Sequence, residues 1–278
     1  MANPEAKREG TTTFARLAPV YDSTRRMSDE ICIDVAREIH EEAGGREGLL
    51  IGDLGAGTGR FSIPLVMRGC NVIAIDISPG MAHEMLSKTR SNFRLRLQTV
   101  VADARNLPLR SNILDAALCF QVLHLIRDWH LVIADVQVAL IQGGLLSVGE
   151  FLRTGISAEV NDKYASIKAK HGFVHSRVGA QDISEVVSYL RSIGCLVPEE
   201  PERYSWVGRM TVNSVIQGLA DKVCSGTWAV PDDVHFAIIQ KLRDWANMRY
   251  IDLEIPREVS SEFKLAFVRF APPLPPEE

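Results

Sequence analysis

Hydrophobic positions along the chain change their rhythm twice. In residues 28–45, SDEICIDVAREIHEEAGG, Ile31, Val35 and Ile39 recur at helical spacing. Ser28 stands as N-cap with acids in the first turn, and Gly44 and Gly45 stop the helix. From residue 48 short apolar runs take over, read as the strands GLLIGDLG, NVIAIDIS, RLQTVVADA, ILDAALCFQ and LLSVGEFL. The helical segments RFSIPLVMRGC, PGMAHEMLSKTR and WHLVIADVQVALIQGG lie among them. This alternation predicts right-handed βαβ crossovers and a parallel sheet covered on both faces. After residue 155 the pattern is mainly helical: SAEVNDKYASIKAKHGF, AQDISEVVSYLRSIG and two further helices within 211–250. ERYSWVGRMT and SEFKLAFVRF alternate as strands. There is no internal repeat, and residues 1–12 and the tail APPLPPEE are expected to be mobile.

Composition narrows the class. With 278 residues, 46% apolar and 24% charged, the chain suits one large α/β domain or a domain with one addition. A net charge of −4 without a basic block argues against a nucleic-acid partner. Cys32, Cys70, Cys119, Cys195 and Cys224 lie far apart and read as buried small hydrophobes of a reducing compartment. No cluster has metal-ligand spacing, so no metal is expected. The first residues, MANPEAKREG, lack the apolar core of a signal peptide. The longest apolar stretch, ILDAALCFQVLHLI, is broken by Asp115, Gln121 and His124, and no segment reads as a membrane span. The expected location is cytoplasmic.

The chemistry concentrates in Asp53-Leu54-Gly55-Ala56-Gly57-Thr58-Gly59. A phosphate-cradling loop of the GxxxxGK[ST] kind fails for lack of its lysine. A dinucleotide fingerprint needs glycine or alanine where Arg60 stands, and a long side chain there would hinder helix–strand packing. An acid followed by GxGxG, the S-adenosylmethionine loop, fits every constrained position. That cofactor carries a sulfonium and an ammonium, so an aspartate at the loop suits it and would repel a diphosphate. The glycines let backbone approach the ligand closely. Asp76 ends the second strand, where an acid can accept from both ribose hydroxyls, and Asp103 ends the third in VVADA, where a carboxylate can accept from the adenine amino group. All lie at the carboxyl edge of one parallel sheet, where open α/β folds bind ligands.

Residues 48–150 resemble the class I S-adenosylmethionine-dependent methyltransferases. They are similar to the small-molecule branch that includes the ubiquinone/menaquinone C-methyltransferases. The resemblance rests on DLGAGTGRFSIPLVMRG, AIDISPGMA, VVADARNLPL, LCFQVLHLIRDW and LIQGG, with FARLAPVYDS as a lead-in. It implies a Rossmann-like, seven-stranded, mostly parallel sheet with helices on both faces, an N-terminal helical lid and helical insertions late in the chain. The implied division is a lid over 1–45, a cofactor-binding core over 46–155, and the rest of the sheet with substrate-cap insertions over 156–278. By resemblance Asp53 and Gly55 hold the methionine end, with Ala56, Gly57 and Gly59 completing the loop. Asp76 and Ile77 take the ribose, Met81 an adenine face, and Asp103 with Ala104 the adenine edge. Phe120 and Gln121 line the wall near the reacting sulfur, and Tyr21 closes over the cofactor. Two departures stand out. The usual KPGG before the fifth strand is IQGG, read as a harmless turn change. A stretch of roughly 50 residues replaces the short hairpin expected between the last two strands.

Methyl transfer is an in-line displacement in which the protein aligns donor and acceptor and, where needed, removes a proton. Candidates for that proton are His124, His171, His175, Tyr21 and Tyr164. His124 follows the fourth strand next to the expected methyl group, with a packing or helix-start residue as its default reading and a base as the second. His171 and His175 flank a lid loop and read as a solvent-facing pair. Arg16, Arg25 and Arg26 could meet an acidic substrate, with a solvated helix face as the default. Trp206, Trp228 and Trp245 read as packing anchors, with a substrate wall as the second option. The expected function is methyl transfer from S-adenosylmethionine, leaving S-adenosylhomocysteine, to O, N or C of a small organic acceptor. The alternative is a cofactor-binding protein without transferase activity, regulatory or using the sulfonium for another reaction. The expected partner is the small acceptor alone, and a homodimer is left open.

Overall fold

The computed structural model describes residue 14 and residues 17–24, 27–174 and 177–271. The expectations for residues 1–12 and for the tail from 272, and the candidates Arg16, Arg25, Arg26 and His175, lie outside the described residues. Seven strands form one sheet: β1 (Leu50–Leu54), β2 (Asn71–Asp76), β3 (Leu97–Val101), β4 (Leu114–Phe120), β5 (Leu140–Leu152), β6 (Glu202–Met210) and β7 (Arg257–Arg269). Their order is β3-β2-β1-β4-β5-β7-β6. The first five pair in parallel, and β7 runs antiparallel to both β5 and β6.

The sheet is apolar on both faces, which explains its unbroken hydrophobic runs. In β4, Leu114, Ala117 and Cys119 enter one core, while Ala116, Leu118 and Phe120 enter the other. Helix α1 (Tyr21–Thr24) leads in. Helices α2 (Asp29–Glu42), α3 (Ser62–Met67) and α4 (Pro79–Lys88) follow, and the core they border contains Val35, Leu65 and Met85. Helices α5 (Trp129–Ala139) and α7 (Ile183–Ser192) cover the opposite face. Ser28 caps α2 by accepting from Ile31 N at 3.2 Å, and Ser78 caps α4 ahead of Pro79.

A third core belongs to a cap made by α6 (Gly155–Lys170), α8 (Val212–Ala220) and α9 (Asp232–Arg249). Val160, Ile216, Ile238 and Leu242 are its fully buried centre. The insertion that carries α8 and α9 leaves the sheet after Met210 and returns at Arg257, two residues paired across β6 and β7. This is the long replacement for a hairpin that the sequence indicated.

One boundary differs from expectation. Helix α5 ends at Ala139, and LIQGG belongs to β5 instead of closing the helix. Leu140 already pairs with Leu114, and pairing resumes at Ala116 with Leu145. The intervening residues form a bulge with Gly143 at φ 76°. The glycines there serve the strand, not a helix stop.

Candidate active site

The loop after β1 is stitched to the neighbouring strand before any ligand is considered. Gly55 N and Ala56 N both donate to Ile75 O, at 2.8 and 3.1 Å. Gly57 N donates to Asp76 Oδ2 at 2.8 Å, and Ser78 N donates to Asp76 Oδ1 at 2.8 Å. Asp76 therefore holds the loop against the β2–α4 turn, with lone-pair capacity left over on both oxygens. Burial raises its pKa, against the hydrogen bonds from Ser78 and Gly57.

The glycines divide by task. A Cβ at Gly55 would lie 2.6 Å from Val122 Cγ2, and one at Gly59 would lie 2.5 Å from Met85 Cγ. Both sit in the left-handed region, at φ 70° and 85°. They are required by packing inside the protein, which the ligand-centred reading of the loop did not capture. Gly57, at φ 56°, faces open space, with Tyr21 Cε1 nearest at 3.9 Å. It is the position where the backbone itself is presented.

Asp53 is 3% exposed and accepts one short hydrogen bond, 2.5 Å, from Ser62 Oγ. Burial pushes its pKa up to about 6, against the Ser62 bond and with help from Asp76. A carboxylate kept ionised against the cost of its burial is a strong seat for a cation, which offsets that cost. Arg60 does not press into the helix–strand contact. It turns toward Asp22, with Nη2 at 3.7 Å from Oδ1.

Asp22 was not singled out from the sequence, yet it docks α1 on the loop. Its Oδ1 accepts from Thr58 Oγ1 at 2.6 Å and its Oδ2 pairs with Lys88 Nζ at 2.5 Å. Burial opposes its ionisation, but the bonds from Lys88 and Thr58 and the charges of Lys88 and Arg60 hold it below the usual carboxylate range. Its signal was present in YDST, directly after the lid tyrosine. Glu150 at the end of β5 was also missed. It accepts from Ile183 N at 2.8 Å and from Arg177, fixing the segment that crosses to α7.

A cavity of about 810 Å³ opens from the loop beneath the cap. It is lined by the predicted Tyr21, Asp53, Gly55, Ala56, Gly57, Phe120, Gln121, His124 and Tyr164. Gly59, Asp76, Ile77, Met81, Asp103 and Ala104 lie outside its lining. Met81 is 2% exposed and packed inside, while Ile77 is 39% exposed. Asp103 pairs with Arg105, Nη2 to Oδ2 at 2.6 Å. Phe120 stacks edge-on against Phe61, with centroids 4.7 Å apart. Gln121 has a left-handed backbone, φ 53°, and its buried Nε2 has no hydrogen-bond partner. Gln121 thus combines a strained backbone with an unsatisfied buried donor beside the cavity.

His171 stands at the start of the loop that follows α6. Its Nε2 lies 3.0 Å from Lys241 Nζ on α9. Trp206, Trp228 and Trp245 do not line the cavity and serve as packing anchors, Trp206 against Phe151 at 5.6 Å and Trp245 against Tyr250 at 6.0 Å. Among the described residues no group of acids, cysteines and histidines could hold a metal ion, and no helix is long and apolar enough to cross a membrane.

Comparison with known proteins finds a shared domain and a shared fold. The methyltransferase-domain family matches residues 52–148. A malonyl-[acyl-carrier protein] O-methyltransferase of Xylella fastidiosa (strain M23) is 33% identical over 135 residues, 48% of this chain and 45% of that protein. The chain thus spans less than half the length of that curated relative. Among solved structures, a putative type II methyltransferase of Anaeromyxobacter dehalogenans is similar with TM-score 0.59 at 17% identity, covering 86% of this chain and 97% of that one. A putative methyltransferase of Bacillus halodurans C-125 gives TM-score 0.56 at 14% identity, covering 84% and 97%. These two likenesses show the shared fold.

Proposed function

Residues 52–148 are a methyltransferase domain of the class I S-adenosylmethionine-dependent kind, and on that premise we propose that the chain transfers a methyl group to a small organic acceptor held under the cap. The observation that carries this is the continuity of one cavity. It runs from the buried Asp53 and the open Gly57 of the acid-GxGxG loop to Tyr164 and Ser157 on the cap helix α6. A donor at the loop and an acceptor under the cap then meet without solvent between them.

The residues present fit the cofactor. Bound S-adenosylmethionine supplies the electrophilic methyl carbon. Asp53 balances the ammonium of its methionine end, Gly57 gives the backbone clearance, and Asp76 has lone pairs left for ribose hydroxyls. Ile77 and Asp103 with Ala104 border the adenine at the neighbouring strand ends, and Met81 backs them from inside. Phe120 and Gln121 set the wall at the sulfur. Tyr21, carried on α1 and held through Asp22, closes the entrance, and His124 borders the acceptor.

Division into lid, core and cap follows the same logic, because the lid and the cap that enclose the acceptor lie outside the family match at 52–148. The acceptor of the curated relative is therefore not carried over. Five free cysteines, four of them buried, support a reducing, cytoplasmic setting. Calorimetric titration with S-adenosylmethionine and S-adenosylhomocysteine tests the reading. Binding of both is expected, and an absence of heat with either overturns it.

A further inference from the structure

The cap core buries more ionisable chemistry than packing requires. Tyr164 on α6 is 3% exposed, lines the cavity and has its hydroxyl 2.9 Å from His235 Nδ1 on α9. His235 Nε2 lies 3.1 Å from Leu219 O. A carbonyl only accepts, so Nε2 carries the ring proton and Nδ1 presents its lone pair. Tyr164 therefore donates to His235, and both lone pairs of its oxygen remain available to accept. One turn further along α6, Lys168 is 4% exposed, with Nζ donating to Gly226 O at 2.8 Å and lying 6.0 Å from the Tyr164 ring centroid. The surrounding core is aliphatic, built on Val160, Ile216, Leu219, Ile238 and Ile239. Apolar side chains at 164 and 235 would fill the same space without desolvating polar groups.

We propose that Tyr164 and His235 form a proton relay in the cavity wall, and that the acceptor is a hydroxylated aromatic or enol whose O–H this relay deprotonates. The proposal rests on the methyltransferase reading above and names the substrate class of that same site. Phe61, Phe120, Phe151 and Phe263 also line the cavity and suit a flat apolar acceptor. In the step, the acceptor oxygen forms a bond to the methyl carbon as the carbon–sulfur bond breaks and its electron pair stays on sulfur. The acceptor proton passes to the Tyr164 oxygen while the Tyr164 proton passes to His235 Nδ1. The positive charge that leaves the sulfonium thus ends on the imidazolium, which returns its proton to solvent after product release.

The charges around the pair agree with this order of events. Burial pushes Tyr164 up to about 12, with Cys224 adding to it, so the phenol is not a base by itself. Burial and the Lys222 charge hold His235 below the usual imidazole range, against the hydrogen bonds to its own ring and the charge of Asp232. Burial also lowers Lys168. The same burial and charge that lower the imidazole disfavour the imidazolium formed in the step, so the proton it takes is readily released afterwards.

The test uses the full chain saturated with S-adenosylhomocysteine and titrated with 4-nitrophenol, whose phenolate is visible. Bound 4-nitrophenol is expected to ionise about one pH unit or more below the free probe. Tyr164→Phe and His235→Asn each remove that shift while 4-nitroanisole, which has no proton to give, still binds. With S-adenosylmethionine in place of the product and phenol, which stays protonated at neutral pH, as the acceptor, Tyr164→Phe lowers kcat about 100-fold with little change in KM. Failure of 4-nitrophenol to bind, or a shift that survives in both variants, overturns the relay. A merely structural pair predicts lower melting temperatures with the shift intact. Loss of S-adenosylhomocysteine binding in the wild type would instead overturn the parent reading, so the two failures are distinguishable.

Discussion

Asp53 has its pKa raised by burial from 3.8 to about 6, and this fixes how the loop responds to pH. Folding favours the protonated form, so this group makes the fold less stable as pH rises through 3.8 to 6 and contributes nothing further above that. A bound ammonium reverses the preference by favouring the carboxylate. The dissociation constant for S-adenosylmethionine is therefore expected to rise as pH falls below about 6, by up to tenfold per pH unit. Asp53→Asn should flatten that dependence, and calorimetry between pH 5 and 8 measures both. The two glycines beside it separate stability from binding. Gly55→Ala meets Val122 at 2.6 Å in a left-handed backbone and should cost more than about 1 kcal/mol, seen as a lower melting temperature. Gly57→Ala meets nothing close and should cost about 1 kcal/mol for its φ alone, while weakening cofactor binding about tenfold or more.

At the scale of the element, the short helix α1 matters through one carboxylate. Asp22 joins the loop hydroxyl of Thr58 to the charges of Lys88 and Arg60, so the lid is fastened to the loop and to α4 at once. Asp22→Asn removes the charge from this junction and should speed cofactor dissociation several-fold, with little loss of global stability because the pair is partly exposed. Stopped-flow release of S-adenosylhomocysteine checks it, and an unchanged rate would remove the lid from the mechanism. The depressed pKa has the usual acid sign. The contribution is present above pH 3.8 and is lost as pH falls through the folded value.

Elements such as α2 and β4 were legible because local pattern dictated them. Ser28 capped a helix of period 3.6, and a run apolar on both faces required a two-sided parallel strand. Asp53 was legible because it stands two residues before the first glycine of the loop, and Asp76, which accepts from Gly57 across 19 residues, because it ends the next strand of a regular alternation. Asp22 and Glu150 were not, because their partners lie 66 and 33 residues away. The packing duty of Gly55 depends on Val122, which no local spacing announces. The boundary at Ala139 slipped because LIQGG satisfies a helix stop and a bulged strand equally well in one dimension.

For the molecule as a whole, the arrangement of cores separates donor binding from acceptor choice. The two sheet cores are continuous from β1 to β7, whereas the cap keeps its own apolar centre. Met210 and Arg257 face each other at the end of β6 and β7, so the insertion between them starts and finishes at one point of the sheet. Replacing residues 211–256 by a two-residue turn would restore an ordinary hairpin. The α6 residues Val160 and Ile167 would lose their cover and must become polar in the same variant. Such a chain should keep its far-ultraviolet signature of sheet and helix, scaled for the lost α8 and α9. It should also bind S-adenosylhomocysteine within about tenfold of the parent, since Asp53, Gly57 and Asp76 are untouched. Transfer to any acceptor should fall to background, because water reaches the donor and no wall holds the second reactant. Loss of cofactor binding in the folded variant would show instead that the cap completes the donor site. Donor affinity and acceptor choice would then be one property of the molecule and not two.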